Sequence, residues 1–146
     1  KKYALAPYTM FIGSGALWGE TILFSMCILE EMQWKRTRYI TSADFFHGTL
    51  ELVEPGVPVF LFMGEDENRK LDERVRAFLT RGVTGDTDIN IIDTAEFAIP
   101  GLDDEFRVIV SPWILSSLVT DRLAAYYETV TKHNLNYRRY YHQFDY

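Results

Sequence analysis

The sequence holds a single cysteine, Cys27, among its 146 residues. No internal disulfide can form, and a lone thiol in an apolar helical pattern suits a reducing compartment better than a nucleophile's role. Net positive charge is lacking too: 15 Lys and Arg stand against 21 Asp and Glu, a formal charge of −6. Nucleic acid and anionic membranes both require a basic face, so neither is an expected partner, and any anionic ligand must be held locally. No uninterrupted apolar run reaches the roughly 18 residues that cross a bilayer, and the opening residues do not read as a signal peptide. A soluble cytoplasmic protein is expected. No His, Cys, Asp and Glu spacing resembles a metal site, and neither metal nor organic cofactor is expected. An initiating Met is missing as well; Lys1-Lys2-Tyr3 leads into a strand-like run by Thr9. A longer polypeptide, with a partner segment before this one, is therefore expected.

What the chain does have is enough apolar surface for one core, at 47% hydrophobic and 15% aromatic residues. Short apolar runs alternate with longer amphipathic ones, the order expected when helices cover a mostly parallel sheet. Five strands are expected: Thr9 to Ile12, Thr37 to Thr41, Val57 to Met63, Asp88 to Ile92 and Arg107 to Val110. Helices are expected over about Ala16–Lys35, Ser42–Val53 behind a capping box at Thr41 and Asp44, Asn68–Thr80, and from Pro112 to about Lys132. The fold class is therefore α/β, a three-layer sandwich of one domain over residues 1–132, with an aromatic and basic tail over 133–146. Ligands in such sheets sit at the carboxyl ends of the strands.

That rule gathers three loops, Gly13-Ser14-Gly15, Thr41 to Asp44 and Gly64-Glu65-Asp66, and three features of the chain carry chemistry. Gly13-Ser14-Gly15, between strand and helix, reads either as a tight turn or as a phosphate cradle built from backbone N–H groups. It lacks the third glycine of a dinucleotide fingerprint and the Lys-Ser/Thr of a Walker loop. Glu31 shares a helical face, at about 100° per residue, with Phe24, Cys27, Ile28 and Trp34. Apolar surroundings strengthen a carboxylate as a base near neutral pH; the alternative is a rim acid paired with Arg36 or Arg38. His47, flanked by Phe46 and Gly48 and 16 positions after Glu31, reads either as a packed core histidine or as a proton carrier. The tail reads either as subunit packing or as a lid, and on the lid reading Arg139 and Tyr140 touch substrate.

In order along the chain, Phe11-Ile12-Gly13-Ser14-Gly15, Leu29-Glu30-Glu31-Met32-Gln33-Trp34, Ser42-Ala43-Asp44-Phe45-Phe46-His47-Gly48 and Leu50-Glu51-Leu52-Val53-Glu54-Pro55-Gly56-Val57-Pro58-Val59 resemble the second sugar-isomerase (SIS) domain of the double-SIS enzymes. These include the isomerase half of glucosamine-6-phosphate synthase and the fructosamine-6-phosphate deglycases. The run His133-Asn134-Leu135-Asn136-Tyr137-Arg138-Arg139-Tyr140-Tyr141 resembles the deglycase tail most. The synthase branch carries lysines on the first helix and near the C-terminus, where this chain has Ile28 and, from Arg138 to Tyr146, no lysine.

The resemblance implies a flavodoxin-like SIS fold, a catalytic glutamate at Glu31 and a ring-opening histidine at His47 that reaches a neighbouring subunit's site. It implies Gly13, Ser14, Gly15, Thr41 and Ser42 as lesser contacts to a sugar-phosphate substrate whose main phosphate grip lies in a first, N-terminal SIS domain. On this reading the chain is a C-terminal half, inactive alone, from a homodimer or larger oligomer that cleaves ketosamine 6-phosphates. Two other readings stay open: an isomerase half of an aminotransferase, and a non-catalytic sugar-phosphate sensor.

Overall fold

The computed structural model describes residues 2–82 and 84–146. Its sheet has four parallel strands, β1 (Tyr8–Gly13), β2 (Arg36–Ile40), β3 (Val59–Met63) and β4 (Ile89–Asp93), in the order β2-β1-β3-β4. The two central strands are nearly continuous runs of buried residues, as a parallel strand covered on both faces must be. Alternation then sorts their side chains. Met10 and Ile12 join Val59, Leu61 and Met63 on one face; Phe11 joins Phe60 and Phe62 on the other. The phenylalanine face is an aromatic wall, with Phe11 stacked on Phe60 at 5.2 Å and edge-on to Phe24 at 5.5 Å.

Two long helical segments cover that wall. The first is α1 (Trp18–Ile22), which widens into a π-helical stretch over Leu23–Met32 and contributes Phe24 and Leu29. The second is α3 (Arg107–Ser116), joined through π-helical Ser117–Leu123 to α4 (Ala124–Thr131), and it contributes Leu115, Val119 and Tyr127. On the opposite face α2 (Arg69–Thr80) packs through Val75 and Leu79 beside Phe45. The edge strand β2 carries exposed Arg36 and Arg38, charges that discourage strand addition at an open edge.

Three expectations need correction. The strand expected at Arg107 to Val110 is the first turn of α3, so the sheet has four strands and not five. Asp103, Asp104 and Glu105 sit just before it, where acidic groups favour a helix start. Pro112 does not open this helix but lies inside it. Its missing N–H leaves the Val108 carbonyl without its helical donor, and the Ser111 hydroxyl donates to that carbonyl at 3.1 Å instead. The helix expected from Ser42 to Val53 is two 3₁₀ turns, Phe45–His47 and Thr49–Leu52, divided by Gly48 at φ 134°. Its capping contacts do form: Thr41 Oγ1 accepts from the Asp44 amide at 3.1 Å and donates to the Asp44 carboxylate at 2.7 Å.

The whole helix Asp104–Thr131 is 28 residues long, and an 18-residue window within it has a mean hydropathy of 1.3, which makes it long and apolar enough to cross a membrane. A search for an uninterrupted apolar run passes over it because Ser111, Ser116, Ser117 and Thr120 interrupt the run. One stripe of it is core, while Ile109 and Trp113 stand 69% and 74% exposed.

Candidate active site

Loops gather at the carboxyl ends of the strands, as the fold requires, but their polar groups are directed at one another. Ser14 Oγ accepts from the Ser42 amide at 2.8 Å, and Ser42 Oγ donates to Asp72 Oδ1 at 2.5 Å. Asp72 Oδ2 accepts from the Gly64 amide at 3.2 Å, which ties the loop after β3 into the same network. Ser14, Ser42 and Asp72 are all buried. Burial pushes the Asp72 carboxyl up to about 6, against the hydrogen bonds from Ser42 and Gly64 that favour its charge.

The turn at Gly13-Ser14-Gly15 already holds an anion. The Ala16 amide donates to Asp66 Oδ2 at 2.5 Å, and a Cβ on Gly15, which sits at φ 54°, would lie 2.1 Å from that oxygen. An incoming phosphate at this turn would meet a carboxylate. Sequence reasoning overlooked Asp72, because its hydroxyl partner Ser42 lies 30 residues away in the chain.

Glu31 sits elsewhere, near the end of the π-helical stretch that leads into the start of β2. It lines a cleft of about 550 Å³ formed by the helix end, the first residues of β2 and the tail, with Trp34, Arg36, Arg139 and Tyr140 among its walls. Of the nine residues singled out in the sequence, the structure brings Glu31, Arg139 and Tyr140 into this cleft. Gly13, Ser14, Gly15, Thr41, Ser42 and His47 are not in it. The cleft therefore opens at the amino end of the edge strand and not at the carboxyl ends.

The surroundings of Glu31 also differ from those expected. Its side chain is 31% exposed and pairs with Arg138 Nε at 3.0 Å, not with Arg36 or Arg38. The helix at this point is π-helical and so wider than an α-helix. Arg138 is the partner that sequence reasoning missed; it lies far from Glu31 along the chain, and the only local signal was the Arg138-Arg139 doublet. Nearby Cys27 has its thiol pushed up by burial, with the Glu31 charge adding to the effect, which disfavours a thiolate.

Tail and helix end are fixed to one another. Gln33 donates to the His133 carbonyl at 2.7 Å and accepts from Thr131 Oγ1 at 2.7 Å. The Trp34 ring lies 4.4 Å from His133 and carries the Arg139 guanidinium 4.3 Å from its centroid. Lys35 donates to the Ala4 and Ala6 carbonyls at 2.9 and 2.7 Å, binding the N-terminal segment, and burial lowers its pKa.

His47 stands apart from Glu31. It is exposed, in the turn beyond the carboxyl end of β2, whereas Glu31 precedes the amino end of that strand. Five strand residues lie between them, roughly 13 Å at about 3.3 Å per residue. Among the described residues no three His, Cys, Asp or Glu side chains gather where they could hold a metal ion.

No family model matches the chain. It is 32% identical over 136 residues to a fructosamine deglycase of Bacillus subtilis, covering 91% of this chain and 39% of that protein. With a fructoselysine 6-phosphate deglycase of Escherichia coli it shares 36% identity over 116 residues, 77% of this chain and 31% of the relative. The chain thus spans well under half the length of the curated relatives it matches. In three dimensions it superposes on a Bacillus subtilis crystal structure named as that of a phosphosugar isomerase with a TM-score of 0.87 at 28% identity, over 99% of this chain and 43% of the other. A parallel sheet in this strand order, the coverage of about a third of two deglycases and the near-complete superposition lead to one assignment: the chain belongs to the sugar-isomerase (SIS) family, as a single SIS domain homologous to part of the fructosamine and fructoselysine 6-phosphate deglycases.

Proposed function

We propose that this domain is the C-terminal half of an enzyme that cleaves ketosamine 6-phosphates to glucose 6-phosphate and an amino acid, with Glu31 as the proton-transferring base. The observation that carries this reading is the position of Glu31: an accessible carboxylate at a cleft, held by the Arg138 guanidinium of the tail at 3.0 Å. A base that must accept and return a proton has to be reachable and fixed in orientation; the cleft supplies the first and the ion pair the second.

In the reaction, His47 from a neighbouring subunit moves the proton that opens the cyclic hemiketal. Glu31 then takes a proton from C1 of the open ketosamine while O2 gains one, giving the 1,2-enolamine, and returns its proton to C2 as the nitrogen loses its N–H proton, giving the aldose imine. Water adds to C1 of the imine, the C1–N bond breaks, and the amine leaves with a proton. The companion SIS domain grips the phosphate. Arg139 and Tyr140 cover the substrate from the tail, while Gly13, Ser14, Gly15, Thr41 and Ser42 shape the loops at the carboxyl ends. The two curated deglycases support the reaction class.

Glu31→Gln in the full-length protein tests this. Steady-state turnover of a ketosamine 6-phosphate should fall by roughly 10²–10⁴-fold, the usual worth of a positioned general base, while equilibrium binding of the sugar phosphate stays within a few fold. Undiminished turnover would remove Glu31 from the mechanism. Isomerisation of fructose 6-phosphate without ketosamine cleavage would move the protein to the aldose–ketose isomerases.

A further inference from the structure

Four cations and two carboxylates line the cleft, a local positive excess in a chain of formal charge −6. Their pairings leave a remainder. Glu31 is paired with Arg138, whose Nη1 also donates to the Leu135 and Tyr137 carbonyls at 2.7 and 2.9 Å. Glu30 accepts from Thr37 Oγ1 at 2.5 Å, and Lys35 is spent on two backbone carbonyls. Among the described residues, neither Arg36 nor Arg139 has a carboxylate within ion-pair distance.

Arg139 is more than an exposed cation. Its guanidinium stacks on Trp34, whose ring His133 supports, so the cation has a shelf. Trp34 sits at φ 54°, a left-handed backbone that a bulky L-residue adopts only when its surroundings enforce it. That conformation turns the indole out, 41% exposed, toward the tail. A guanidinium stacked on a ring keeps its in-plane N–H fork free, and the fork matches a carboxylate bidentately.

We infer that Arg139, held on the Trp34 shelf, binds the α-carboxylate of the amino-acid half of the substrate and so selects ketosamines of amino acids over those of simple amines. The inference rests on the proposed deglycase reading, because it takes C1 and the attached nitrogen to lie at Glu31. An α-carboxylate is two bonds from that nitrogen, whereas the phosphate sits at the far end of the sugar. Arg138 contacts Glu31, so the adjacent Arg139 is placed for a group close to the reacting carbons.

The test compares two substrates that differ only in the carboxylate: the fructosamine 6-phosphates of glycine and of methylamine. Both kcat/KM and equilibrium binding are measured on full-length wild type, Arg139→Gln and Arg139→Lys. Wild type should favour the glycine adduct by roughly tenfold or more, the worth of a charge-assisted bidentate contact. Arg139→Gln should erase that preference through KM of the glycine adduct, lowering its kcat/KM by roughly tenfold more than that of the methylamine adduct, and Arg139→Lys should restore part of it. Equal wild-type handling of both adducts would overturn the inference. So would an equal loss on both in Arg139→Gln, which would mark a phosphate contact or a structural role. Should neither adduct be cleaved, the deglycase reading fails while the binding comparison still decides: a carboxylate preference erased by Arg139→Gln upholds the inference, and no preference, or no binding of either adduct, ends it.

Discussion

Asp72, 1% exposed at the start of α2, is a buried carboxylate whose two hydrogen bonds come from a hydroxyl and an amide and not from a cation. Its carboxyl titrates at about 6 in the folded chain against 3.8 for the free side chain. Between those values the folded state keeps a proton that the unfolded chain has released. Stability therefore declines as pH rises from about 4 to about 6, and above that Asp72 is a constant burden. A gap of about two units corresponds to roughly 3 kcal/mol. Asn is nearly isosteric and can serve both Ser42 and Gly64, so Asp72→Asn should match wild type near pH 4 and gain on it by up to roughly that amount at pH 7. Urea denaturation at several pH values reads the difference directly; parallel pH profiles for the two proteins would refute the titration of Asp72. None of this was legible in the sequence, where Asp72 is one of 21 acids on a charged helix. Glu31 and His47 stand out in the sequence by residue type and spacing, whereas partners such as Arg138 and Asp72 are brought in by tertiary structure and leave no local pattern.

At the scale of elements, the long helix over Asp104–Thr131 depends on a substitution of one donor for another. Pro112 removes the N–H that Val108 would receive, and the fully buried Ser111 hydroxyl replaces it. Ser111→Ala should leave a carbonyl unsatisfied inside the packed helix and cost about 1–3 kcal/mol, measured as a lowered midpoint in thermal or urea denaturation. Ser111→Thr, which keeps the hydroxyl, should lose less; a harmless Ser111→Ala would mean that Val108 finds another donor. This detail also explains the misread strand. Val108-Ile109-Val110 has strand-like residues and a following proline, so local propensity pointed to a strand and then a helix opened by Pro112. Tertiary packing overrode it, because Leu115 and Val119 need a continuous helix to reach the phenylalanine wall. By contrast β1, β3 and α2 were legible within one or two residues, since buried runs and a strongly amphipathic helix are signals that no neighbour contradicts. The segment after Thr41 was read as a helix from its cap alone, and Gly48 at φ 134° breaks it into two turns.

For the whole molecule, the separation of Glu31 from His47 decides what kind of assembly the proposed chemistry needs. One chain carries them at opposite ends of β2, with roughly 13 Å of strand between. Proton transfers at adjacent atoms of one sugar cannot be shared across that span, so each site must draw Glu31 and His47 from different copies. Exposed Ile109 and Trp113 on the outer stripe of the long helix show that this domain has apolar surface beyond what its own core buries. The prediction is complementation. Full-length Glu31→Gln and His47→Ala should each be nearly inactive as homo-oligomers. Unfolded together and reassembled as mixed dimers, they should regain activity, because half the dimers are mixed and each mixed dimer holds one site with both native groups. About a quarter of the wild-type sites then return, by the symmetry of a two-fold assembly. Rates measured before and after mixing, beside each variant treated alone, give the answer. No recovery in verified mixed dimers would mean that the two residues serve one chain's site after all, or that His47 takes no part.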